Sequence, residues 1–529
     1  MSKKYPIGVQ SFEKIRKEGY CYVDKTEMIY ELATNGRYYI LSRPRRFGKS
    51  LLVSTLEAYF LGKRELFKGL AIEQLEKNWT VHPVLHLDLV ASQYKSVDDL
   101  MSKLNNALCK WEDVYGKNVS ETTISLRFEG VIQRACQQTG QKVVVLIDEY
   151  DKPLLESIGN ETLQNDLRDE LRAFYSVLKS QDANICFGLL TGVTKFGKLS
   201  VFSGLNNLKD ISMRIEFATI CGISEKELYR DFKEDIQQLA TANNMNYEEA
   251  CEEMKQRYDG YHFAPNSEDV YNPFSVLNTL DAKVFGSYWF KTGTPTYLIK
   301  LLQTGQYNLS NLTKEEVDIE SLEDIHEDDA IPVIYQSGYL TIKKYNKQFD
   351  TCQLGFPNRE VEEGFIKYLL PFYTTIKQSK SAFEIRKFIQ EIEQADIDAF
   401  FARLQTFFAD TPYEMIVGHA PQNSYSKETA IEKQLERHYQ NVLFIVFRLM
   451  GFYTKVEYHT AQGRIDLVLQ TKNYCYVMEF KLNGTAEEAL AQIDAKQYAA
   501  PFAHSGKKIF KIGVNFSSKT RNIDRWIVM

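Results

Sequence analysis

The chain has 529 residues, 44% hydrophobic and 25% charged, which excludes a wholly disordered protein and, at about 150 residues per domain, predicts about three domains. A net charge of −6 excludes a protein that coats nucleic acid over its whole surface, yet residues 421–529 carry 15 Lys+Arg against 10 Asp+Glu, a net of +5, which leaves −11 on the first 420. Eight cysteines without a C-x-x-C pair exclude a disulfide framework and a zinc knuckle, and the absence of any apolar run of signal-peptide or membrane-span length predicts a cytoplasmic protein with no membrane partner.

In chain order, the apolar runs RYYIL (37–41), VLHLDLV (84–90), KVVVLID (142–148) and ICFGLLT (185–191) read as buried parallel strands. Segments of helical periodicity separate them, around 51–60, 97–111, 122–138 and 161–180. An α/β domain with a parallel sheet over 1–222 is expected. Residues 223–330 turn to charged, aromatic helices broken at NPF (272–274) and GTP (293–295), a helical subdomain. A short β-like piece followed by helices makes 331–420 a connector module. Over 421–529 the pattern predicts a helix (428–450), strands 453–459, 464–470 and 474–480, a helix (485–499) and a strand (508–516), an α/β C-terminal domain.

Some clusters carry no chemistry. The acidic stretch EDIHEDD (323–329) reads as a solvated turn. His82 and His86 sit in or beside a strand, where an i,i+4 spacing does not bring side chains together. His262, Tyr261, Tyr271 and Tyr288 read as aromatic core of the helical subdomain.

Two motifs do. LSRPRRFGKSL (41–51) ends as a phosphate-binding loop ends, between a strand and a helix of good helix formers. Gly48 lets the backbone approach a phosphate, Lys49 supplies charge to the β/γ-phosphates, and the Ser50 hydroxyl is a Mg²⁺ ligand. Arg43 stands where the general pattern has its first glycine. The strand VVVLI delivers Asp148 and Glu149, the first to hold Mg²⁺ and the second to polarise the attacking water; VLHLDLV is an extra strand between the two motifs. Thr191 or Thr194 is expected either to sense the γ-phosphate or to cap the following turn. Arg43, Arg45, Arg46, Lys195 and Lys198 are candidate phosphate or inter-subunit charges.

These residues, RPRRFGKS with YVDKT (22–26) before it and LIDEYDKP after it, resemble the bacterial AAA-ATPase-like family over about residues 5–220. The resemblance implies a P-loop NTPase fold of the ASCE/AAA type. It also implies that Arg43 belongs to a family version of the loop, and that Lys49, Ser50, Asp148 and Glu149 keep their usual roles, with ATP and Mg²⁺ as cofactors.

In GRIDLVLQTKNYCYVMEFKLNG (463–484), Asp466 and Glu479-Phe480-Lys481 lie on two strands of an expected hairpin. Period-2 geometry puts Glu479 and Lys481 on one face, where Asp466 meets them across the strands. Two carboxylates and a lysine suit metal-assisted phosphodiester hydrolysis; an ion pair on an exposed strand is the alternative. The preceding helix offers Glu432 and Glu436, the following one Gln492 and Tyr498. This order resembles the PD-(D/E)XK nuclease superfamily. It implies Asp466 and Glu479 as metal ligands, Lys481 as catalytic lysine, Glu436 as accessory acid, and Gln492 and Tyr498 lining the site.

The expectation is an ATP-binding protein and ATP hydrolase coupled to a Mg²⁺-dependent nuclease acting on DNA or RNA. The alternative is a nucleotide-switched signalling or scaffold ATPase whose nuclease-fold domain only binds nucleic acid or a partner. A homo-oligomer is compatible with either.

Overall fold

The computed structural model describes residues 3–90, 92–195, 207–292, 298, 302, 307–313, 316–323, 329–374, 376–409, 424–451, 457–460 and 466–529. Lys198, the GTP at 293–295, positions 324–328 of the acidic turn and Gly463-Arg464-Ile465 lie outside them. The chain divides into two compact units, residues 1–294 with 315–361, and residues 295–314 with 362–529.

The first unit is built on strands β1 (Tyr38–Ser42), β2 (Val84–Asp88), β3 (Val143–Asp148), β4 (Ile185–Gly192) and β5 (Lys209–Asp210). They pair in parallel in the order β2-β3-β4-β1-β5. β1 and β3 are buried along their whole length, as continuous apolar runs in a doubly covered parallel sheet should be. Helices α1 (Lys49–Phe60), α2 (Val97–Tyr115), α3 (Ile124–Thr139) and α4 (Glu161–Ser180) join the strands. α2 starts at a capping box in which Ser96 and Asp99 satisfy each other's backbone N–H. The strand that separates β1 from β3 is β4; β2, expected between them, lies beyond β3. β4 therefore carries its polar C-terminal end into the gap between the two motif-bearing strands.

A two-stranded pair, β6 (Ile223–Ser224) and β7 (Val270–Tyr271), anchors helices α5 (Glu225–Ala242), α6 (Tyr247–Tyr258) and α7 (Pro273–Ala282). Leu228, Ile236, Met254, Tyr258, Tyr271 and Val276 form their shared core. Tyr261 and Tyr271 are buried as expected, and the His262 imidazole sits 2.9 Å from Asp269. An antiparallel sheet follows, β8 (Glu316–Asp318), β9 (Thr341–Asn346) and β10 (Thr351–Gly355), in the order β8-β10-β9. The segment expected as a connector is thus divided, its hairpin with the first unit and the helices beyond residue 361 with the second.

In the second unit, helix α8 (Ser424–Gly451) precedes a mixed sheet of β11 (Glu457–Thr460), β12 (Asp466–Gln470), β13 (Tyr474–Leu482), β14 (Lys508–Ser517) and β15 (Asn522–Val528) in sequential order. Only β13 and β14 run parallel, and α9 (Ala486–Ala495) makes their crossover. Gly513 is required on β14, since a Cβ there would lie 2.1 Å from the Ala486 carbonyl oxygen of α9. β15 was not anticipated. Among the described residues no helix is long and apolar enough to cross a membrane.

Candidate functional site

β1 ends at Ser42, and the chain turns through Arg46 (φ +67°) and Gly48 (φ +98°) before α1 begins at Lys49. Two left-handed residues close together curl a backbone into a concavity of N–H groups, and the N–H groups of a first helical turn have no intrahelical acceptor. Lys49 is buried; its ammonium donates to the Arg43 and Pro44 carbonyls at 3.0 and 3.3 Å and lies 3.1 Å from Glu149 Oε1.

The end of β3 faces this loop. Asp148 accepts hydrogen bonds from the Thr191 hydroxyl (2.5 Å) and from Ser50, and burial raises its carboxyl above the ordinary value. Glu149 is held at φ +55°, a conformation that disfavours any side chain with a Cβ and that concentrates at functional positions. The loop and strand end open on a cleft of about 460 Å³ lined by Arg45, Arg46, Gly48, Lys49, Ser50, Glu149 and Lys152. Pro6 to Gln10, Phe274 and Leu277 complete it. Free N–H groups, two arginines, two lysines and an adjacent hydroxyl and carboxylate suit a polyphosphate with a divalent cation. No motif marks Pro6–Gln10, Phe274 or Leu277 in the sequence, because they come from distant segments.

Several expectations change. Arg43 is buried, its guanidinium donating to the carbonyls of Ser42 (2.9 Å), Ser212 (2.7 Å) and Phe217 (3.1 Å) and packing 4.2 Å above the Phe263 ring. It is neither a phosphate ligand nor an inter-subunit charge but an internal strut. Lys195 pairs with Asp210 at 2.6 Å. The Thr191 hydroxyl is committed to Asp148 instead of a turn. Thr194 donates through both its N–H (2.6 Å) and its hydroxyl (2.7 Å) to the buried Asp151, which also accepts from the Val193 N–H at 3.0 Å. Desolvation raises the Asp151 carboxyl to about 6. Asp151 was overlooked although it is the last acid of DEYD; nothing local distinguishes it from a surface charge. His82 bonds the Lys142 carbonyl and His86 the Glu57 carboxylate, each on its own.

In the second unit Asp466 and Glu479 are register partners across β12 and β13. Glu479 is 1% exposed, which removes the reading as an exposed ion pair. Its Oε1 lies 3.0 Å from the Lys481 ammonium, which also donates to Gln492 Oε1 of α9 at 2.5 Å. Among the described residues Glu479 Oε2 has no hydrogen-bond partner. A buried carboxylate oxygen left unpaired is costly without a cation or proton, so it fits a metal ligand. No group of three or more His, Cys, Asp or Glu gathers for a metal among the described residues.

The accessory positions are less uniform. Glu432 accepts from Asn483 Nδ2, just beyond β13, at 2.9 Å, whereas Glu436 meets Gln440 on its own helix at 3.5 Å. Tyr498 packs on the Cys475–Val477–Ile493 cluster.

Family models match at two places, a predicted AAA-ATPase over residues 6–202 and the PD-(D/E)XK nuclease superfamily over 434–526. A protein of Azotobacter chroococcum mcd 1, described only as an uncharacterized protein in the vnfD 5′ region, is 32% identical over 549 aligned positions, covering 99% of both chains. The ORC2 protein of Aeropyrum pernix, solved as ADPNP and ADP complexes, aligns with 65% of this chain and 88% of its own at 10% identity and a TM-score of 0.25, too distant a likeness to bear on function.

Proposed function

We propose that this chain, which belongs to the family of predicted AAA-ATPases with a C-terminal PD-(D/E)XK nuclease-superfamily domain, binds and hydrolyses ATP in its first unit and cleaves DNA or RNA in its second. The observation that carries the reading is the convergence of Lys49, Ser50, Asp148 and Glu149 at one end of the parallel sheet. The loop N–H groups, Lys49, Arg45 and Arg46 hold the phosphates. Ser50 and Asp148 hold Mg²⁺, which offsets negative charge on the phosphoryl group in transfer. Thr191 fixes the orientation of Asp148 through their 2.5 Å hydrogen bond. Glu149, at the edge of the cleft, orients the attacking water.

In the second unit Asp466 and Glu479 hold a divalent cation, and Lys481, fixed between Glu479 and Gln492, orients the water that attacks the phosphodiester. The +5 net charge of residues 421–529 favours a phosphate backbone. Glu436 is an accessory acid to this site.

Calorimetric titration with ATP·Mg²⁺ and a phosphate-release assay test the first half. Lys49→Ala abolishes measurable binding, whereas Glu149→Gln keeps binding and loses hydrolysis by about 10²–10⁴-fold, the usual contribution of a positioned base. Hydrolysis at the wild-type rate by Glu149→Gln would remove the role given to that residue.

A further inference from the structure

Residues 43–47 of the phosphate loop are each held by a residue from beyond position 260. Arg43 lies over Phe263, the Pro44 ring packs where a Cβ on Gly338 would sit (2.6 Å), and Arg46 lies 5.2 Å over Phe274. Phe47 meets Tyr261 and Phe263 edge-on at 4.7 and 5.4 Å. The contact at Arg45 differs in kind, because it is a hydrogen bond to backbone: the Trp289 indole N–H donates to the Arg45 carbonyl at 2.9 Å.

Trp289 is itself rigidly placed. Its backbone N–H donates to Glu360 Oε1 at 2.7 Å, and Glu360, 3% exposed, accepts the Ser275 hydroxyl on its other oxygen at 2.7 Å. Its ring packs on Tyr339 at 5.3 Å. Trp289 does not line the nucleotide cleft, so the indole grips the loop from behind.

A trans peptide is planar, with its C=O and N–H pointing in opposite directions. Anchoring the Arg45 oxygen on the indole therefore turns the Arg46 N–H the other way. Arg46 is the left-handed residue of the loop, and its N–H has no hydrogen-bond partner among the described residues. We propose that Trp289 is a positioning residue for nucleotide binding: by holding the Arg45 carbonyl it aims the Arg46 N–H at a phosphate of the bound nucleoside triphosphate. The usual first glycine of the loop supplies conformational freedom; here Arg43 is a strut and the loop's shape is imposed from outside.

The inference rests on ATP binding at this loop, and the test separates the two. Wild type and Trp289→Phe, which keeps a ring and loses the donor, are titrated with ATP·Mg²⁺, and amide hydrogen exchange at Arg46 is followed with and without saturating ATP·Mg²⁺. The wild-type Arg46 amide is expected to slow when nucleotide is added. Trp289→Phe is expected to bind about tenfold more weakly, the effect of one hydrogen bond, and its Arg46 amide to stay fast even at saturation, which a packing role alone would not produce. Equal affinity and equal protection in the variant overturn the proposal. If Trp289→Phe does not fold, the wild-type exchange decides, and an Arg46 amide unaffected by bound ATP overturns it. Absence of ATP binding by the wild type overturns instead the nucleotide site itself.

Discussion

Arg43 shows how much a single residue can hide. From the sequence its guanidinium is one of three adjacent charges at a phosphate loop, and only the folded chain shows it turned inward to the carbonyls of Ser42, Ser212 and Phe217. A buried carbonyl without a donor costs about 1–3 kcal/mol, so Arg43→Ala is expected to destabilise the first unit by several kcal/mol in thermal or urea unfolding. A loss below about 0.5 kcal/mol would mean the strut is dispensable. Lys49, Ser50, Asp148 and Glu149 were legible because each stands at the end of a buried strand or the start of a helix, where local pattern fixes position. Arg43, Asp151 and Trp289 were not, because partners that fix them lie from 43 to 244 residues away in the sequence.

At the level of elements, the hairpin β12–β13 could be read because period-2 alternation sets both face and register. The order of the parallel sheet could not, since crossovers leave no trace in local periodicity, and β4, not β2, lies between β1 and β3. Two predictions belong here. Gly513→Ala places a Cβ against the Ala486 carbonyl and Leu490 N–H, so α9 must shift. Overpacking of this kind costs about 1–3 kcal/mol, and Gln492, two residues on, loses Lys481. Nuclease activity should fall along with the melting temperature; unchanged activity would show that Gln492 does not position the lysine. In α8, His438 is buried with Nε2 unpartnered among the described residues and stacks on Tyr373, and burial pushes its pKa down to about 4. The unfolded chain takes up that proton near pH 6.5. The stability from keeping His438 neutral is thus fully present above about pH 6.5 and is lost as pH falls through the window to about 4. His438→Phe should flatten the fall in melting temperature between pH 7 and 5, and an unchanged slope would assign it to other groups.

For the molecule as a whole, composition and charge divided the chain at 222, 330 and 420, while its packing groups it into two units with segments exchanged at 294–315 and 361. Composition follows local element type; units follow long-range contacts that composition does not encode. A phosphate-loop sheet and a nuclease-fold sheet stand in one chain, and the Azotobacter relative aligns over 99% of its length, so the two proposed activities call for a test together. The measurement that tests them most directly is cleavage of labelled single- and double-stranded DNA and RNA with Mg²⁺ or Mn²⁺, with and without ATP, by wild type, Glu479→Ala and Lys49→Ala. Cleavage is expected that EDTA and Glu479→Ala abolish, and that ATP changes in the wild type but not in Lys49→Ala. No cleavage of any substrate by a wild type that binds ATP would contradict that expectation, and would leave a nucleotide-switched protein whose nuclease fold serves binding alone.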